Sequence, residues 1–177
     1  WVVFQSNRDG NVELYLSDSE GKSQSRLTTS QSNNINAMFG PDNQNVVYQS
    51  DRNGNWDLYL MDINTGTERQ LTTNPADDAN PYWSPDQEWL AFQSNRSGSW
   101  NVYLLNVTTG TEYQVTSFAE DVLFPTWSPN GYQIAFTSDR DGNLEIYVMD
   151  ANGSNVFRVT NNGIHEVYKK TKMCFIL

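Results

Sequence analysis

Apolar and polar positions alternate along this chain in short runs, and the runs recur every 44 residues. Across residues 56–62, Trp56, Leu58 and Leu60 fall on one face and Asp57, Tyr59 and Met61 on the other, the period of a strand. Residues 35–39 form a short run closed by Gly40-Pro41-Asp42-Asn43, a turn signal. Residues 46–50 and 68–72 read as two more strands. Between the second and third strands lies Asp51-Arg52-Asn53-Gly54-Asn55, a hairpin turn whose glycine accommodates positive φ. The following units read alike. Their first strands end in Trp83-Ser84-Pro85-Asp86 and Trp127-Ser128-Pro129-Asn130, their second strands cover 89–94 and 133–138, and their third strands cover 100–106 and 144–150. No stretch has a convincing 3.6-residue period, so almost no helix is expected.

The repeat is marked by Ser6, Ser50, Ser94 and Ser138, by Tyr15, Tyr59, Tyr103 and Tyr147, and by Thr28, Thr72, Thr116 and Thr160. A fixed period of this length means one supersecondary unit stacked on copies of itself, each covering its neighbour's apolar face. Four short antiparallel strands per period is the pattern of a propeller blade. The expected fold is all-β, a β-propeller of four 44-residue four-stranded antiparallel blades at about 1–33, 34–77, 78–121 and 122–163. The first unit holds three strand signals, in residues 1–28, and opens inside a strand pattern. Residues 164–177 leave the repeat: Val167-Tyr168-Lys169-Lys170-Thr171 stands where an aromatic followed by Ser-Pro-Asp is due. This tail is a candidate closing strand. Three arrangements stay open: a homodimer closing eight blades, a self-closed four-blade ring, and a fragment of a larger propeller. An unclosed ring would expose sheet edges.

Composition narrows the partners. Six Trp, nine Tyr and eight Phe suit pleated surfaces. The formal net charge is −10, and four of the eleven Lys and Arg are repeat arginines, so no basic patch is left for nucleic acid. A basic peptide, a cation or a neutral glycan stays compatible with that charge. A lone cysteine, Cys174, forms no disulfide within the chain, and no 18-residue apolar run spans a membrane.

The order Trp-Ser-Pro-Asp, apolar strand, Ser-Asp-Arg-Asp-Gly-Asn, Tyr-containing strand ending in Met-Asp, Gly turn and Leu-Thr resembles the TolB-type β-propeller repeat. Residues 83–116 and 127–160 match it best, and the resemblance covers about residues 1–160 in four copies. It implies a propeller like periplasmic TolB or like the gating domains of prolyl-oligopeptidase-like enzymes. Such propellers mostly bind or gate, and a periplasmic or secreted setting follows from the resemblance alone. The family usually has six or more blades, and this chain offers four.

Arg8, Arg52, Arg96 and Arg140 recur once per unit in the Ser-x-Arg-x-Gly hairpins. A site usually breaks symmetry, so these arginines are expected to be structural, paired with carboxylates such as Asp18, Asp42, Asp62, Asp86 and Asp150. The connectors vary more: 29–34, 73–80, 117–122 and 161–163. Variable loops on a rigid scaffold are where binding usually lives. Asp77, Asp78 and Asn80 in one and Phe118, Glu120 and Asp121 in another are the candidate partner-binding residues. The carboxylates suit a cation at the channel mouth or a basic segment, and Phe118 supplies an apolar anchor. No resident cofactor is expected.

The enzymatic case is thin. A nucleophile–His arrangement depends on His165, the single histidine, and Gly-x-Ser-x-Gly is absent. Metal-dependent lyases that resemble TolB propellers use several histidines. The rival to a non-enzymatic module binding a protein or peptide is therefore a glycan-active enzyme using Asp77 or Asp78 opposite Glu120 or Asp121 as acid and base.

Overall fold

In each repeat, β-branched and aromatic residues fill the strands, and glycines or asparagines at positive φ reverse the chain between them. The computed structural model describes residues 1–161, and the expectations for residues 162–177, His165 and Cys174 among them, lie outside the described residues. The first sheet has three strands in the order β1 (Val2–Ser6), β2 (Glu13–Ser17), β3 (Gln24–Arg26). The second runs β4 (Asn34–Phe39), β5 (Asn45–Ser50), β6 (Asp57–Asp62), β7 (Glu68–Gln70). The third runs β8 (Asp78–Trp83), β9 (Trp89–Ser94), β10 (Asn101–Asn106), β11 (Glu112–Gln114). The fourth runs β12 (Val122–Trp127), β13 (Gln133–Ser138), β14 (Glu145–Asp150), β15 (Phe157–Arg158). These are four antiparallel propeller blades, the first of three strands, and the described residues contain no helix. Each fourth strand is two or three residues, shorter than the pattern suggests, although the next backbone N–H, of Leu71, Val115 or Val159, still reaches a third-strand carbonyl.

The chain divides within β8 into two compact units, Trp1–Pro81 and Tyr82–Leu177. In the first, β4 packs against β1 and β2. Leu14, Tyr48, Tyr59 and Met61 form its core, with Leu27 and Ala37 at the margin. In the second, β12 packs against β9 and β10. Its core gathers Val102, Leu104, Val122, Trp127, Ile134, Phe136, Tyr147 and Met149. The blades are pressed close here. A Cβ on Gly153 (φ +86°) would come within 2.2 Å of the Val115 carbonyl oxygen, so only glycine fits.

A second device joins successive blades. β4 and β12 each carry a register shift, between Ile35 and Met38 and between Leu123 and Thr126. Asn36, Asn80 and Phe124, at one repeat position, adopt φ of 57°, 52° and 54°. At each of these positions the backbone N–H meets a glutamine of the preceding blade. Asn36 donates to Gln5 Oε1 (3.1 Å), Asn80 to Gln49 Oε1 (2.9 Å) and Phe124 to Gln93 Oε1 (2.9 Å). Asparagine tolerates the left-handed region and phenylalanine does so at a cost, so the glutamine holds Phe124 in a strained conformation.

Candidate functional site

In the first three blades the second-to-third-strand hairpin and the connector to the next blade meet at one edge. Their backbones are tied: Asn34 N–H donates to the Val12 carbonyl, Asp78 to Trp56 and Val122 to Trp100, each at 2.7 Å. Side chains repeat the tie one residue earlier. Asn33 Oδ1 accepts from Val12 N–H (3.2 Å), Asp77 Oδ1 from Trp56 N–H (2.9 Å) and Asp121 Oδ1 from Trp100 N–H (3.0 Å). The hairpin also holds the connector carbonyls, with Asn11 Nδ2 donating to Ser30 and Ser32, Asn55 Nδ2 to Asn74 and Ala76, and Ser99 Oγ to Phe118. The connector backbones are thus fixed from within, leaving the outward side chains free to differ.

Behind this edge lies a buried polar corner at the start of each third strand. Glu13, Asp57, Asn101 and Glu145 occupy it, 44 residues apart and at most 2% exposed. In each blade a threonine hydroxyl accepts from the next backbone N–H: Thr28 from Leu14, Thr72 from Leu58, Thr116 from Val102, Thr160 from Ile146, at 2.8–2.9 Å. The same hydroxyls donate to Asp57 (3.2 Å), Asn101 (2.9 Å) and Glu145. Where the corner residue is Glu, an arginine on the fourth strand pairs with it: Arg26 with Glu13 at 2.9 Å and Arg158 with Glu145 at 2.7 Å. Where it is Asp57 or Asn101, the fourth strand carries Gln70 or Gln114 instead.

These environments move the carboxyls in opposite directions. The Thr160 hydroxyl, with Asn143 and Arg158, outweighs burial and pushes Glu145 down to about 2. Burial raises Glu13, but hydrogen bonds from Thr28, Asn11, Asn34 and Arg26 leave it below its ordinary value. Burial also raises Asp57. The nearby Asp78 charge adds to that, and hydrogen bonds from Thr72 and the asparagines do not offset it.

The six candidate residues fall into different roles. Asp77 and Asp121 accept backbone N–H groups at equivalent positions. Asp78 is fully buried, and Asn80 belongs to the interblade ladder, where its Oδ1 accepts from Asn36 Nδ2 at 3.0 Å. Glu120 is exposed and Phe118 half-buried, with its ring 4.1 Å from the Arg140 guanidinium. Asp77, Asp78 and Asn80 sit in the first compact unit and Phe118, Glu120 and Asp121 in the second. Among the described residues, no group of three or more His, Cys, Asp and Glu side chains is arranged to hold a metal.

Three of the repeat arginines bind within their own blades, but to other partners than the aspartates expected from sequence. Arg52 pairs with Glu68 at 2.5 Å and Arg96 with Glu112, while Arg8 donates to Gln24 Oε1 at 3.0 Å. The aspartates are used locally: Asp18, Asp42, Asp62 and Asp86 accept backbone N–H groups of their own turns. Sequence reasoning missed the buried corner and the glutamine clasp. The signal for both was present, since Glu13/Asp57/Asn101/Glu145 and Gln5/Gln49/Gln93 keep the 44-residue spacing.

The family model for the TolB beta propeller domain matches residues 52–121 and 79–173. Among solved structures, one assigned to TolB of Agrobacterium tumefaciens is 26% identical, with a TM-score of 0.80 over 88% of this chain and 59% of that one. TolB of Acinetobacter baumannii is 24% identical, with a TM-score of 0.78 over 92% of this chain and 41% of that one. An oligogalacturonate lyase of Vibrio parahaemolyticus shares the fold at 16% identity, with a TM-score of 0.73 over 92% of this chain and 50% of that one. The chain therefore spans less than two thirds of each. No curated protein matches by sequence.

Proposed function

Because the chain belongs to the TolB beta propeller domain family, we propose that it is a non-enzymatic interaction module that takes a protein or peptide partner on its connector edge. The observation that carries this reading is the connector at 117–122. Its backbone is held as in the connectors at 29–34 and 73–80, yet it presents a half-buried phenylalanine where they carry Ser30 and Asn74, and an exposed glutamate where they carry Ser32 and Ala76. A preorganised loop loses little entropy on binding, so side-chain contacts count in full. The proposed contact centres on Phe118 and Glu120; Asp78 has no surface to offer it. A periplasmic or secreted setting goes with this reading.

Selection of displayed random peptides against the chain tests the proposal, with a Phe118→Ser, Glu120→Ala double variant as counter-target. Peptides enriched on the unmodified chain and lost on the variant are expected. Equal enrichment on both would remove the connector from the account. The rival, acid–base chemistry on a glycan, asks for a pair of carboxylates, but Asp77 and Asp121 here accept backbone N–H groups and Asp78 lies buried, which leaves Glu120 as the exposed one; turnover of oligogalacturonate by the purified chain would revive it. Homodimerisation is a separate proposal, checked by light scattering: a mass of two chains supports it and a mass of one sinks it.

A further inference from the structure

Departures from the repeat converge on one arginine. Arg8, Arg52 and Arg96 each donate Nε to the serine two residues before, at 3.1, 3.0 and 2.9 Å. Each also donates an Nη to the residue sixteen positions on, Gln24, Glu68 or Glu112. Their guanidinium carbons lie 4.4, 4.2 and 4.6 Å from the ring centres of Tyr15, Tyr59 and Tyr103. Arg140 follows none of this. Its backbone N–H meets Ser138 Oγ at 3.3 Å, but among the described residues its guanidinium donates to no acceptor. It has moved off Tyr147, at 5.6 Å, and lies over Phe118 at 4.1 Å.

The sequence explains the move. The residue sixteen on from Arg140 is Val156, where the neighbouring blades have Glu112 and Glu68. A second acceptor is missing too. Arg52 Nη2 reaches Asn34 Oδ1 at 3.2 Å, and the residue equivalent to Asn34 beside Arg140 is Val122. Phe118, the new neighbour, stands where the other connectors have Ser30 and Asn74. Two acceptors have been replaced by valines and a small polar residue by an aromatic ring, all around one half-buried cation. A guanidinium has five N–H donors in a fixed fork that matches a carboxylate. The carboxylate that completes the fork in the blades of Arg52 and Arg96 is absent from this one, and an incoming carboxylate can take its place.

We propose that Arg140, with Phe118 and Tyr147, is a binding site for a single carboxylate of a peptide partner, flanked by apolar side chains. The proposal rests on the interaction-module reading and names the chemistry its partner presents. The net charge of −10 repels a polyanion, so the site suits one carboxylate beside apolar groups rather than an acidic run. The Phe118 ring would cover the apolar flank while the guanidinium takes the charge.

Titration of the full chain with three synthetic peptides tests this: N-acetyl-Leu-Leu-Glu amide, its Gln counterpart, and N-acetyl-Leu-Leu-Leu with a free C-terminus. At least one acidic peptide should bind roughly tenfold tighter than the neutral one, and which one it is identifies a side-chain or a terminal carboxylate. Arg140→Gln should erase the preference. Val156→Glu should erase it too, with Arg140 intact, by supplying the repeat's own carboxylate. Because the ratio of acidic to neutral binding is read on one folded variant, a general loss of stability does not imitate the result. Equal affinities, no binding of any peptide at millimolar concentration, or a preference that survives Arg140→Gln would overturn the site. Equal binding that is lost on Phe118→Ser would overturn it while leaving the interaction module standing.

Discussion

The third and fourth blades bury the same corner in two ways. In the third, Asn101 accepts from Thr116 and from Phe118 N–H, and Gln114 donates to the Thr116 carbonyl, so nothing is charged. In the fourth, Glu145 takes Thr160, Asn143 and Arg158, and an ion pair replaces the amides. The two solutions keep their partners matched, Asn with Gln and Glu with Arg. The backbone N–H at the corner is satisfied in the same way in both. The lesson is that geometry at this position is fixed by the threonine and the backbone, while charge is optional provided it is paired. A neutral corner is indifferent to pH and an ionic one is not.

The largest effect should come from splitting the ionic pair. Glu145→Ala leaves Arg158 beside the half-buried Thr160 without the Glu145 carboxylate, and a fall in Tm on the order of 10 °C is expected. The pH dependence has a definite sign. Glu145 has a folded value of about 2 against an ordinary 4.5, so its contribution is fully present above about 4.5 and is lost as pH falls towards 2. Thermal melts between pH 7 and 2 should show that loss in the parent and a flatter profile in Glu145→Ala. Asn101→Ala should cost less and leave the profile unchanged; a pH profile altered equally by both variants would break the comparison.

Next in size is the interblade clasp. Gln93→Ala strips the acceptor from Phe124 N–H in a φ that phenylalanine adopts only at a cost, and a loss of about 1–3 kcal/mol in denaturant unfolding is expected. Removal of Gln93 should also speed amide exchange at Phe124. Slow exchange there after the substitution would mean that the bulge is held by packing alone.

Asp57 tests the corner from the other side, since it carries the charge with Gln70 at the position where Arg26 and Arg158 stand. Burial and the charge of Asp78 raise its folded value above 3.8, so its ionised form costs stability at neutral pH and that cost vanishes as pH falls below the ordinary value. Asp57→Asn copies Asn101 and keeps an oxygen acceptor for Thr72. A gain of up to about 1 kcal/mol at pH 7, shrinking to nothing below about pH 4, is expected from paired denaturation curves. A loss at pH 7 would mean that the carboxylate is required where the amide serves its neighbour.

Much of this fold was legible because the repeat made each position speak four times. Strand positions, hairpins and the turn glycines follow from alternation and the 44-residue period. The site was legible only in part. Asp77 and Asp121 look like surface acids in sequence, but an Asx cap and a binding carboxylate share one residue type, and only the N–H groups of Trp56 and Trp100 tell them apart. Asp78 follows Asp77 directly and is buried because β8 starts there and turns its side chain inward. The arginine partners were misjudged for a related reason: Glu68 and Glu112 are near Arg52 and Arg96 only once the fourth strand folds back on the third. Arg140 could have been found from sequence by asking which repeat position changes, since Val156 interrupts Gln24, Glu68 and Glu112.

The smallest effect separates the two arginines of the second compact unit. Arg96 is hydrogen-bonded to Ser94, ion-paired with Glu112 and seated on Tyr103, and both charged side chains are largely covered. Arg96→Gln should therefore cost about 0.5–1 kcal/mol, the upper range for a partly exposed pair. Arg140 has its aromatic neighbour but, among the described residues, no carboxylate, so Arg140→Gln should change stability by less than about 0.5 kcal/mol. An arginine that the fold can lose at so little cost is not held there by stability. If urea denaturation instead gives Arg140→Gln the same loss as Arg96→Gln, the two hairpins are equivalent, and the fourth blade's departure from the repeat is one of sequence without consequence for how its arginine is used.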